Sequence, residues 1–388
     1  MSGLRIIRVH PKSLESHRRD AGATRLLGCT FHPDPCEAGK PRQRPVLWTG
    51  FAGLALICVL VPLGCSQTAV NPLAPPQPPV VWPKPPEQAR VRFLGSLTGS
   101  RDVRPRKSFL ESWNELLYGP KPASVLVTPQ AVAVHEDGYR IAVADTNGAC
   151  VHVFDLAAQT YERKASAGTP PQTFQCPAGV AWVGDVLWVA DAKLHAVAVL
   201  EPSGGSRWIG GDALVRPAGL AYCRQNGLCY VSDAGAHAIL AFDPAGTAVL
   251  HFGSRGTGPG QFNCPTHIAC GPGPSLAVAD SLNFRIQRLG PDGSPLGAFG
   301  KKGDATGDLS LPKGIAFDPE GNIWVADAQF ENVQAFTPQG QLLLVIGREG
   351  RGIGEFYLPA GMCVDARRRM WIADTYNRRV QVFELLTP

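Results

Sequence analysis

From residue 90 onward, apolar residues arrive in short runs, and Gly, Pro, Asn or Asp closes almost every run. Runs this brief, rich in Val, Ile, Ala, Trp and Phe and bounded by turn formers, predict β-strands. In the clearest stretch, Gly314-Ile-Ala-Phe-Asp-Pro-Glu-Gly321 reads as an inner strand and tight turn. Ile323–Ala326 and Val333–Phe336 read as second and third strands, and Gln341–Ile346 as an outer one. One segment departs from the pattern. Ser108 and Glu111 form a capping box, Phe109, Leu110, Trp113, Leu116 and Leu117 share one helical face, and Gly119-Pro120 is a stop, so Ser108–Tyr118 predicts a short helix.

The strand pattern repeats. IAVADTNG, LWVADAKL, YVSDAGA, LAVADSLN, IWVADAQF and WIADTYN place an aspartate at Asp145, Asp191, Asp233, Asp280, Asp327 and Asp374, at spacings of 46, 42, 47, 47 and 47. About 15 residues upstream runs a second column, PQAVA, PAGVA, PAGLA, PTHIA, PKGIA and PAGMC, starting at Pro129, Pro177, Pro217, Pro265, Pro312 and Pro359. A period of this length matches one four-stranded blade of a β-propeller, so the expected fold is all-β with six blades.

These columns resemble the NHL repeat, whose unit has a PxGIA-type inner strand, a VAD closing the second strand, and Asp-x-x-Asn-x-Arg leading into the third. Asp280, Asn283 and Arg285 keep the whole motif, as do Asp374, Asn377 and Arg379, whereas the units around Asp191 and Asp233 keep the Asp alone. The resemblance implies an NHL propeller over residues 90–388. The last repeat ends after its third strand at Val380–Phe383, which leaves an edge unpaired. Arg90–Leu97 resembles the outer strands and is expected to close blade six.

Charge narrows the function. Nine of the 37 Lys and Arg and four of the 32 Asp and Glu fall in the first 45 residues, leaving 28 of each sign for the rest. A neutral body lacks the basic excess on which nucleic-acid binders depend, so no nucleic-acid partner is expected. Residues 1–45 read as a disordered extension. Lys40, Arg42 and Arg44 precede an uncharged apolar stretch, residues 46–64, ending at Cys65. That is a signal-type pattern, and Gly64-Cys65 resembles a bacterial lipobox, which implies lipidation of Cys65. Pro62 and Leu63 depart from the lipobox pattern, and an uncleaved anchor helix is the alternative. Export is expected either way, with Ser66 after the cysteine leaning by resemblance toward the outer membrane. The proline-rich stretch 66–89 reads as a semi-rigid extended linker.

Candidate chemistry is sparse. The glycine-rich stretches from Gly253, Gly300 and Gly347 lack the Lys-Ser/Thr and helix of a phosphate loop and read as turns between blades. A residue present in every blade serves the blade, so the six aspartates and the Asn and Arg beside them are read as structural. NHL-type propellers such as the peptide-amidating lyases hold zinc with histidines at the channel, and similarly shaped lactonases use calcium. Here His267 is a weak metal candidate, standing where four other blades have Gly. His195 and His237 occupy matching positions on neighbouring blades, while His135, His152 and His251 show no pattern. No catalytic residue and no cofactor is expected.

The eleven cysteines include no CxxC. Export permits disulfides, and Asn226-Gly227 between Cys223 and Cys229 is a hairpin signal, so Cys223–Cys229 is the expected bridge. Cys264 and Cys270 lie too far apart along one strand to pair. The combined expectation is a monomeric, envelope-anchored binding scaffold for a protein partner, or a ligand, that the sequence leaves unnamed. A metal-dependent lyase or lactonase-type envelope enzyme is the alternative.

Overall fold

In each repeat the second strand is buried on both faces, as in Leu276–Asp280 and Ile323–Asp327. A strand sandwiched between two neighbouring sheets has no solvent side, so its sequence is continuously apolar rather than alternating. The outer strands show the converse: Pro295–Phe299 is exposed along most of its length. The computed structural model describes residues 72–103, 113, 117 and 123–387.

Six antiparallel sheets form the blades. Five have four strands in simple meander order, and the sixth has five. The inner strands are Pro129–Val134, Pro177–Val183, Pro217–Cys223, Pro265–Cys270, Pro312–Phe317 and Pro359–Val364. Each contacts the next, and the last contacts the first, so the ring closes. Six buried apolar clusters fill the joints between blades. Trp188 and Phe242 meet between blades two and three, for example, and Trp371 packs with Phe154 between six and one.

The sixth sheet joins the two ends of the described chain. Val91–Leu97 pairs antiparallel with Arg379–Leu385, and Val81–Trp82 adds a fifth strand outside it. Val91 and Leu97 are fully buried, and the Phe93 ring packs edge-on against Phe383 at 5.6 Å. Arg92 forms an ion pair with Glu384 across the same strands. The segment expected as a helix, Ser108–Tyr118, lies outside the described residues except for Trp113 and Leu117, which are exposed. The extension, the apolar stretch and Cys65 also lie outside them. Among the described residues, no helix is long and apolar enough to cross a membrane.

The disulfide corrects the sequence reading. Cys223 bonds Cys270, with Cα atoms 5.5 Å apart, and Cys229 is free and buried. In the hairpin Cys223 pairs with Leu228, and Cys229 with Tyr222. Paired residues share a face and successive residues alternate, so the Cys223 and Cys229 side chains leave opposite faces of the sheet. Cys223 faces blade four, where the end of the neighbouring inner strand presents Cys270. The bond thus ties two blades together 47 residues apart.

Two outcomes follow from this architecture. Phe93→Ala should lower unfolding free energy in urea by about 3 kcal/mol, because it empties a buried aromatic site in the sheet that closes the ring. The double substitution Cys223→Ser, Cys270→Ser should cost about 2–4 kcal/mol, whereas Cys229→Ser should leave the non-reducing peptide map unchanged.

Candidate functional site

Every inner strand begins with a proline paired to the blade's aspartate, and immediately after that proline the register slips. The slip is a β-bulge, which turns the extra residue out of the ladder. Gln130, Ala178, Ala218, Thr266, Lys313 and Ala360 follow the six prolines and encircle the neck of the central channel. The next column is Ala131, Gly179, Gly219, His267, Gly314 and Gly361. Glycine fits there because blades approach backbone to backbone: a Cβ on Gly314 would stand 2.1 Å from the Ala360 carbonyl oxygen.

The six aspartates are fully buried, each in its own blade, and they do not gather into one site. Asp145 accepts the N–H groups of Val127, Thr128 and Gly148 at 2.6–2.9 Å. Asp191, Asp233 and Asp327 accept the equivalent backbone donors, including Gln175, Val215 and Ser310. The carboxylate therefore fastens the loop arriving from the previous blade to the turn of its own. Burial pushes the Asp145 carboxyl up, but the His152 ring and the three N–H groups outweigh it and hold it below the usual carboxylate range.

Asn283 and Arg285 extend the clamp. Asn283 Nδ2 donates to the Gly256 carbonyl and to Asp280, and Arg285 donates to Asp280 and to the Thr257, Gly258 and Gln261 carbonyls. Asn377 and Arg379 repeat this with Asp374 and the Gly350, Gly352 and Glu355 carbonyls. Two of the glycine-rich stretches, those from Gly253 and Gly347, are thus wrapped around a guanidinium. Sequence reasoning missed a further member. Gln287, Gln334 and Gln381, each seven residues after its aspartate, bridge the same loops. In blade one that position holds His152, 3.2 Å from Asp145 and 2.7 Å from the Tyr161 hydroxyl. Their fixed offset from the aspartate was the available signal.

The remaining histidines part company. His195 Nδ1 meets the Val215 carbonyl, and His237 Nδ1 accepts the Cys264 N–H at 3.1 Å, so each braces the next blade instead of joining a pair. His135 is buried against Asp137, and His251 is exposed on an outer strand. Among the described histidines, only His267 lies within an inner strand. A Cβ on Gly361 would stand 2.7 Å from its Nε2 and 2.8 Å from the Gln130 carbonyl oxygen, so the ring from blade four reaches across to blades six and one. The residue is partly exposed, but both ring nitrogens are sealed from solvent, beside the backbone of Lys313 and Gln130. Burial, reinforced by the Lys313 charge, lowers its pKa to about 4. A lysine and backbone groups surround it, which does not fit a zinc site needing three or four converging donors. Among the described residues, no group of three or more His, Cys, Asp or Glu is placed to hold a metal.

The two ends of the ring differ chemically. At the proline end, Val127, Val215, Leu282, Tyr357 and Tyr376 are exposed, and the two tyrosine rings touch at 5.3 Å. At the other end, ion pairs link hairpins of different blades: Arg140 with Asp185, Arg368 with Glu320, and Arg224 with Glu136. Exposed pairs of this kind are screened by solvent, so they trim the ring rather than hold it. A cavity of about 810 Å³ lies away from the inner strands, between residues 168–173 and 206–208 on the outer rim. It is a broad groove without clustered titratable groups. The channel neck, with its buried His267 and Lys313, is the better candidate.

At pH 7 His267 is neutral in the folded ring. Its folded pKa lies below the ordinary histidine value of about 6.5, so the unfolded chain binds the extra proton first and stability falls as pH drops from 6.5 toward 4. The loss should reach about 3 kcal/mol. His267→Gly should flatten that part of the stability profile, measured by denaturant unfolding across the range.

No curated protein matches the chain in sequence. Residues 356–383 match the NHL repeat family model. Among solved structures, a catalytically inactive virginiamycin B lyase from Staphylococcus aureus with quinupristin is similar at 14% identity. The match covers 70% of this chain and 86% of that one, with a TM-score of 0.51. An auxiliary nutrient binding protein from Bacteroides ovatus is similar at 15% identity over 66% of this chain and 69% of that one, TM-score 0.53. Likeness at this identity concerns the fold. With its six closed blades and the matched repeat, the chain is a six-bladed β-propeller carrying the NHL repeat.

Proposed function

We propose that this propeller is an envelope-anchored, monomeric binding scaffold that docks a protein partner on the proline end of the ring. The supporting observation is the exposed set Val127, Val215, Leu282, Tyr357 and Tyr376. Three of these residues sit two positions before an inner-strand proline and two sit two positions after an aspartate, so the carboxylate clamps hold all five loops. A rigid frame presenting exposed aromatic and aliphatic loop residues suits protein recognition, since tyrosine anchors contribute contact area at low entropic cost. Lipidation at Cys65 would tether the ring to a membrane, and an interblade disulfide agrees with an exported location.

The lyase and the nutrient binding protein above show that related folds serve both catalysis and binding. The titratable groups of this ring favour binding. The aspartates are saturated with backbone donors, and His135, His152, His195 and His237 are engaged in bracing contacts.

Proximity crosslinking of the tagged full-length protein in its native cells should recover one reproducible envelope partner, with mass spectrometry finding a lipidated Cys65 at the mature N-terminus. Tyr357→Ala with Tyr376→Ala should reduce recovery at least tenfold without lowering the melting temperature. Unchanged recovery would remove this face as the docking surface. Stoichiometric metal in the purified protein, with no partner recovered, would favour the enzyme reading.

A further inference from the structure

We propose that the neck of the central channel binds a single carboxylate group, held by the Lys313 ammonium with the Gln130 amide and the His267 ring around it. This goes beyond the docking face and does not depend on it. Lys313 is the bulged residue of blade five, turned out of its ladder between Pro312 and Gly314. It is largely buried, and no carboxylate or carbonyl accepts from its ammonium among the described residues; burial alone lowers its basicity. A desolvated ammonium without a counter-charge is costly, and the corresponding bulges offer only Gln130, Thr266 and three alanines.

Neighbouring groups set the ligand class. Thr266 is engaged by Ser281 and the Lys313 carbonyl, so it fixes the lysine backbone. Gln130 is the bulged residue of blade one, and among the described residues its side-chain amide makes no hydrogen bond. His267 brings two ring nitrogens sealed from solvent beside the Lys313 and Gln130 backbone, one a donor in the neutral ring. The site therefore offers one full positive charge and several neutral donors. That balance suits a singly charged carboxylate, whereas a phosphate dianion calls for further cations or a guanidinium fork. Ala178 and Ala218 leave room on the facing blades. The carboxylate could belong to a small organic acid or to the C-terminus of a peptide reaching into the channel.

The test titrates full-length protein in detergent, at low salt, with acetate and with acetyl-triglycine bearing a free or an amidated C-terminus. Calorimetry and thermal unfolding are the readouts. Saturable binding that raises the melting temperature is expected for acetate, for the free-ended peptide, or for both, and absent for the amidated peptide. Acetate alone would identify a small acid, and the peptide alone a chain terminus. Lys313→Met should weaken binding at least tenfold, equivalent to about 1.4 kcal/mol, while raising the melting temperature of the ligand-free protein. The proposal is overturned if neither probe binds, if the amidated peptide binds equally, or if Lys313→Met binds as the parent does.

Discussion

A carboxylate sealed from solvent must find donors, and in this chain backbone N–H groups at the mouth of each blade supply them. Asp145 and its five counterparts gather donors from the loop arriving from the previous blade and from the turn leaving the second strand. Breaking one such contact would strand a buried charge as well as lose a hydrogen bond. The inner strands, their bulges and the channel neck all take their positions from this clamp.

The clamp is not uniform, and its weak points are reinforced differently. Blades four and six carry Asp, Asn, Arg and Gln together; blade five keeps Asp and Gln; blade one substitutes His152. Blades two and three keep only the aspartate. There His195 and His237 reach to the next blade, and the Cys223–Cys270 bond ties blade three to blade four. Thr146, Ser281 and Thr375 add hydroxyl donors to the next blade's proline carbonyl at three of the joints. A ring of six loses its closure if any joint opens, so each interface needs some brace.

The same framework explains why the neck is chemically unusual. Glycine dominates the column where blades approach most closely, and His267 replaces it by extending across the axis. With Lys313 turned in by its bulge, the neck carries basic groups whose pKa values fall because water is excluded. The six buried aspartates, by contrast, are each met by backbone donors. The Lys313 ammonium lacks such a partner among the described residues, which makes the neck the place where a ligand has most to contribute.

Much of the architecture was legible in residue columns alone. The periods of Pro and Asp, the continuously apolar second strands and the missing outer strand of the last repeat specify six blades, because a blade buried on both faces leaves that imprint on its sequence. The complete Asp-Asn-Arg sets marked the strongest clamps. The tertiary structure alone decided what depended on neighbours across blades. Cys223 lies near Cys229 in the chain, yet the alternation of strand faces turns it toward Cys270. His195 and His237, equivalent in sequence, brace successive blades instead of meeting. Lys313 and His267 lie on successive repeats, and the packing of blade four against blade five brings both to the neck. Repetition records contacts that every blade makes with itself, whereas contacts made once between different blades leave no period to read.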